Sequence, residues 1–151
     1  LSFIPKSPAQ ALECANGYTV IINVYQFPGV VKAFPGVVET LERLSSQGIL
    51  MSIASSRSHR TLAKLMDELD LSKYITYLIA ADDVVEKKPA AESVLKTLRH
   101  FNIEAHETLV VGDTEFDILM GRNAGTHTCG VTYGNGSKES LEAAKAEWIV
   151  C

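Results

Sequence analysis

The chain is poor in cysteine. Its three thiols, Cys14, Cys129 and Cys151, are odd in number and fall in no metal-ligand spacing, which excludes a disulfide framework and a cysteine-built zinc site. Thiols so few and scattered fit a reducing compartment, most simply the cytoplasm. No apolar run approaches the roughly 20 residues of a spanning helix, and no signal-peptide pattern is present, so no membrane partner is expected. Basic charge is not in excess either. Fourteen Lys and Arg stand against eighteen Asp and Glu, a net charge of -4, which leaves no electrostatic footprint for nucleic acid. Repetition stops at two copies of one short string, Phe27-Pro28-Gly29-Val30-Val31 and Phe34-Pro35-Gly36-Val37-Val38, too few for a solenoid. Aspartate is absent before Asp67. The chain starts at Leu1 rather than Met, as a processed or truncated piece would.

What remains is ordinary globular material: 151 residues, 46% hydrophobic and 21% charged, one domain's worth with enough chain for a full core. Residues 1–17 are poorly patterned and contain Pro5 and Pro8. Tyr18 to Tyr25 is β-branched and aromatic, a strand. Val37, Leu41 and Leu44 then share one helix face, with Gly48 as the stop. Ile49 to Ala54 is an apolar run broken only by Ser52, as in a strand buried on both faces. Leu62, Leu65, Met66 and Leu69 mark the next helix, Tyr77 to Ala80 a short strand, and Val94, Leu95, Leu98 and Phe101 the buried face of a third helix. Thr108 to Gly112 is a strand whose helix runs to Ala124 and stops at Gly125. Thr128 to Val131, a helix over Ser137 to Ala146, and an edge strand at Glu147 to Val150 complete the pattern. Strands alternating with helices at this spacing imply right-handed crossovers and a mostly parallel α/β sheet.

Three polar groups sit just beyond strand ends. Ser55 and Ser56 follow the buried apolar run, Lys88 precedes Pro89, and Asp113 closes its strand with Asp117 one helical turn on. Each has a plain structural use. The serines suit a helix cap, Lys87 and Lys88 suit solvent, and the aspartates suit a turn and a helix start. Together they suit phosphoryl transfer. A hydroxyl with helix-start N–H groups holds a phosphate, an ammonium offsets its charge, and two carboxylates suit Mg²⁺, a hard cation that keeps several waters.

These strings are similar to those of the haloacid dehalogenase superfamily, in its phosphoglycolate-phosphatase-like branch. The matching residues are Ile53-Ala54-Ser55-Ser56, Lys87-Lys88-Pro89 and Val111-Gly112-Asp113-Thr114-Glu115-Phe116-Asp117-Ile118, with Pro35 to Leu41 like the family's lead-in helix. Asp82-Asp83 stands where related sequences carry acidic residues. The resemblance spans Phe34 to about Val150. It implies a three-layer, Rossmann-like parallel sheet flanked by helices. It also implies a phosphate-contacting Ser55, a charge-stabilising Lys88, and Mg²⁺ held through Asp113 with Asp117 in support. The expected partner is a small phosphorylated metabolite. The expected domain is residues 1–151 as one unit, with 1–33 an irregular lead-in or remnant, 34–151 the core, and no sizeable cap.

One departure stands out. The family attacks with the first Asp of an Asp-x-Asp motif at the end of its first strand and uses the second as acid/base. Here Ile22-Asn23-Val24-Tyr25 puts Asn23 and Tyr25 at those positions, and an amide cannot form an aspartyl-phosphate. Three readings follow. The chain belongs to a phosphatase whose nucleophile segment lies outside it, or it is a pseudoenzyme that binds a phosphorylated ligand or protein without turnover, or it is a flavodoxin-like receiver. A receiver would need acidic residues at the end of the first strand, and none stand there.

Overall fold

A computed structural model of the chain describes residues 19–22 and 33–151. Asn23 and Tyr25, the positions aligned with the missing carboxylates, lie outside the described residues.

Among the described residues six parallel strands form one sheet in the order β3-β2-β1-β4-β5-β6. They are β1 (Thr19–Ile22), β2 (Met51–Ala54), β3 (Tyr77–Ile79), β4 (Thr108–Gly112), β5 (His127–Val131) and β6 (Trp148–Val150). The helices between them are α1 (Val37–Ser46), α2 (His59–Glu68), α3 (Glu92–Phe101), α4 (Glu115–Asn123) and α5 (Lys138–Ala143), with a short 3₁₀ turn at Ala105–Glu107 before β4. The central strand β1 comes from the stretch expected as lead-in, and it lies between β2 and β4 as its motif alignment requires.

Period-two alternation assigns the faces. Met51, Ile53, Leu109, Val111, Cys129 and Val131 form one core with Leu41 and Leu44 of α1 and Leu62, Leu65 and Met66 of α2. Ala54 and Val110 meet Val94 and Leu98 of α3 and Met120 of α4 on the other face. Ile118, Leu141 and Ala144 then join α4 to α5. A sheet packed on both faces needs strands without polar alternation, and β2 and β4 are buried at every residue.

The helix stops fall at Gly48 and Gly125, whose φ values of 76° and 78° are the left-handed conformation that closes a helix. The face of α3 differs from the expected one. Ser93, Val94, Thr97 and Leu98 are its buried residues, whereas Leu95 is exposed and Phe101 only half-buried. Positions 94, 97 and 98 make one 3.6-residue stripe, and 95 falls outside it. Helical phase, not side-chain hydrophobicity, sets the buried face. The final helix is also shorter than Ser137 to Ala146, because Ser137 is its cap and the chain leaves the helix after Ala143.

Candidate functional site

Parallel pairing puts the carboxyl ends of β1, β2 and β4 along one edge, and the order of connection reverses between β1 and β4. A reversal of this kind opens a crevice at the strand ends, where doubly wound sheets bind ligands. Ser55 follows β2 directly and Asp113 follows β4.

Ser55 is buried. Its N–H extends the ladder to Ile79 O at 2.9 Å, and its hydroxyl accepts the Arg57 N–H at 3.3 Å. The helix cap is a different serine: Ser58 starts α2 and accepts the Thr61 N–H. Ser56 lies exposed beside it, and Ser55, Ser56, Ala80, Val84, Lys87 and Lys88 line a cleft at this edge.

Lys87 and Lys88 part company. Lys87 is exposed, while the Lys88 side chain keeps only 11% of its surface. Its ammonium donates to Ala54 O at 3.1 Å and to Asp117 Oδ1 at 2.7 Å, so it ties the end of β2 to the start of α4. Among the described residues these two oxygens satisfy two of its three donors.

Asp117 is 1% exposed and faces inward along α4. While Oδ1 takes Lys88, Oδ2 accepts the Thr114 N–H at 3.1 Å and the Thr114 hydroxyl at 2.7 Å. The carboxylate therefore serves a lysine and the start of its own helix together. Gly112 permits this, since a Cβ there would overlap Asp117 Cβ and Cγ. Asp113, also buried, has Oδ2 accepting the Asn135 N–H at 2.8 Å and its carbonyl accepting the Gly136 N–H at 2.9 Å. The structure thus joins Lys88 and Asp117 directly and seats Asp113 one residue past β4. Among the described residues no group of three or more His, Cys, Asp and Glu gathers as a metal cage.

Sequence reading missed the parts that hold the loops. Glu92 Oε2 accepts the Val85 and Glu86 N–H groups at 3.0 and 2.7 Å, and Oε1 pairs with Lys96 at 2.8 Å. The Glu86 N–H, then Lys96 and the Val85 N–H, hold that carboxyl down at about 2. On the other side of the cleft, Asp83 Oδ2 accepts the Ala80 N–H at 2.8 Å and meets His59 Nδ1 at 2.6 Å. Asp82 Oδ1 accepts the His59 N–H at 2.7 Å, and the Ala81 N–H donates to Arg57 O at 2.8 Å. The loop after β3 is thereby zipped to the start of α2. Hydrogen bonding to Asp83 raises the His59 imidazole above 6.5. Burial, the largest influence on Asp83, pushes it up, but the bonds from His59 and Ala80 outweigh this and leave it below its ordinary value. Tyr133, edge-on to Phe34 at 5.1 Å, is pushed up to about 12 by burial, with Cys129 and Asp113 adding to the effect. Its hydroxyl keeps its proton at neutral pH.

Residues 17–131 match the family model for haloacid dehalogenase-like hydrolases. The chain is 37% identical over 125 residues to the "Probable phosphatase IndB" of Dickeya dadantii, a match covering 83% of this chain and 54% of that protein. It is 38% identical over 103 residues to the phosphoglycolate phosphatase of Aquifex aeolicus, covering 68% of this chain and 48% of the relative. Among solved structures, a HAD-superfamily hydrolase, subfamily IA, variant 1, from Geobacter sulfurreducens superposes with a TM-score of 0.61 at 30% identity, over 64% of this chain and 45% of that one. The chain spans about half the length of the curated relatives it matches.

Proposed function

The chain belongs to the haloacid dehalogenase-like hydrolase family, and from that premise we propose that it is the Rossmann-like core of a magnesium-dependent phosphatase. Its substrate is a small phosphate monoester, as the name of the Aquifex relative suggests for that protein, and its setting is the cytoplasm. The observation that carries this reading is Lys88. A lysine side chain left 11% exposed, with its ammonium braced by Ala54 O and Asp117 Oδ1, is costly to desolvate. It lines the cleft with Ser55 and Ser56 and ties the end of β2 to α4.

Each residue has a role in that reading. Ser55 and Ser56, both lining the cleft ahead of α2, hold phosphate oxygens. Lys88 offsets charge on the transferring group through its remaining donor. Asp117, expected from the sequence as a supporting metal ligand, has its oxygens engaged by Lys88 and Thr114; in this reading it fixes the direction of the Lys88 donor and acts on the reaction through it. Asp113 would hold Mg²⁺, and the donor chemistry fits: a hard cation takes oxygen, and one or two carboxylates suffice when waters and phosphate complete the shell. Bound there, Mg²⁺ would neutralise phosphate charge and orient the monoester for in-line attack.

A second reading rests on the sequence, in which Asn23 and Tyr25 align with the family's attacking and acid/base carboxylates. On it the same cleft binds a phosphorylated ligand or protein without hydrolysing it. Binding tests the part common to both. Mg²⁺ with inorganic phosphate should raise the melting temperature, because only the folded state assembles the site. Asp113→Ala should abolish the magnesium part and Lys88→Ala should weaken the phosphate part. A shift unchanged by either substitution overturns the cleft as a phosphate site.

A further inference from the structure

The loop after β5 reads Thr132-Tyr133-Gly134-Asn135-Gly136, and none of the strings that resemble the family includes it. Its two glycines invite a turn explanation that the backbone does not support: the glycines with positive φ among the described residues are Gly36, Gly48 and Gly125. Space explains them instead. A Cβ at Gly134 would overlap Asp113 Cβ, Cγ and Oδ2, and a Cβ at Gly136 would overlap the Asp113 carbonyl oxygen. Both glycines are pressed against one residue, the acid proposed to hold Mg²⁺. Between them the Asn135 N–H donates to Asp113 Oδ2 at 2.8 Å, and the Gly136 N–H donates to Asp113 O at 2.9 Å.

We propose that residues Gly134 to Gly136 are a positioning clamp for the metal-binding carboxylate of Asp113. This rests on the reading of Asp113 as a magnesium ligand. One amide grips the side chain and the next grips the main chain, which fixes both ends of the lever that aims the carboxylate. An acid held by backbone donors cannot swing away when the cation leaves, so the site is preorganised rather than assembled by the metal. Only glycine lets the loop come this close. The Asn135 side chain has no part in the grip, since its main chain makes the contact.

The Asn135 amide proton reports on the Asp113 carboxylate directly, so a Mg²⁺ titration of the full chain followed by ¹H–¹⁵N correlation spectra needs no turnover. The Asn135 and Gly136 signals should move saturably in the unmodified protein. Gly134→Ala should raise the Mg²⁺ dissociation constant about 10- to 100-fold, the usual loss when a ligand's supporting partner is removed, while Asn135→Ala leaves it unchanged. Where Gly134→Ala loses the folded spectrum, an ester in place of the 134–135 amide, introduced by ligating a synthetic 129–151 segment at Cys129, removes the donor without changing shape. It should weaken Mg²⁺ in the same direction. Unaltered affinity in a folded Gly134→Ala protein, or in the ester protein, overturns the clamp. Asp113→Asn tells the two claims apart. If it leaves the Mg²⁺ response intact, the metal reading fails; if it abolishes the response while the loop variants do not alter it, only the clamp fails.

Discussion

At the scale of single residues, the Lys88–Asp117 pair argues hardest for a task beyond stability. Two side chains exposed by 11% and 1% have left water to meet at 2.7 Å, and such a pair seldom stabilises more than apolar residues of similar volume would. Removing one partner is another matter. Lys88→Met should destabilise the fold by about 3–5 kcal/mol, since Asp117 is left as a buried charge without its cation. Adding Asp117→Asn should return much of that loss, because the amide still accepts from Thr114 and has no charge to compensate. Urea unfolding of the two variants checks it, and equal midpoints would show that charge is not the coupling. Gly112 carries a related constraint. Gly112→Ala places a Cβ on Asp117 and should cost about 1–3 kcal/mol by overpacking, read from the same unfolding curves.

Among the elements, the loops around the cleft are tied by charge that solvent can reach. The His59 imidazole sits above 6.5, so its contribution is complete below that value and fades as pH rises through the folded one. Asp83 sits below 3.8, so its contribution is complete above 3.8 and fades as pH falls through the folded value. The clamp between the β3 loop and α2 therefore works between those limits. His59→Gln should flatten the alkaline side of the stability profile, and the effect should shrink in high salt because both groups are partly exposed. Urea midpoints measured across pH at two salt concentrations would show it; an unchanged alkaline slope would remove the clamp. The sequence made the strands and helices legible because their apolar periods are local. It made Ser55, Lys88, Asp113 and Asp117 legible because each follows or precedes a strand or helix signal. It could not show that Asp117 turns to Lys88, since a carboxylate one turn into a helix looks the same whether it faces a cation or a lysine. Nor could it show Glu92 or Asn135 at work, because the Glu92 carboxylate accepts from backbone amides and Asn135 acts through its own, and no residue type announces such contacts.

At the scale of the whole molecule the question is whether a complete cleft lacks only its attacking atom. The strand order places β1 between β2 and β4, so its carboxyl end at Ile22 opens on the same sheet edge as the ends of β2 and β4. Asn23 follows Ile22 in the sequence, and an amide cannot take a phosphoryl group. On the proposed reading Ser55, Lys88 and Asp113 would still bind and polarise a monoester, but water would then have to attack unaided. Loss of a nucleophile that works as part of a unit costs on the order of a million-fold in turnover, so the unmodified chain should show no magnesium-dependent hydrolysis of p-nitrophenyl phosphate. Asn23→Asp with Tyr25→Asp restores a nucleophile and an acid/base and should recover measurable activity. Recovery should be partial, since Gln26 and Phe27 stand where the family's Gly and Thr shape the loop. Adding Asp113→Ala to that variant should silence it again. Turnover by the unmodified chain that Asp113→Ala abolishes would refute the missing nucleophile and require another residue in its place. An inert double variant that still binds Mg²⁺ and phosphate would instead put the fault in the alignment at Asn23, leaving the binding cleft standing.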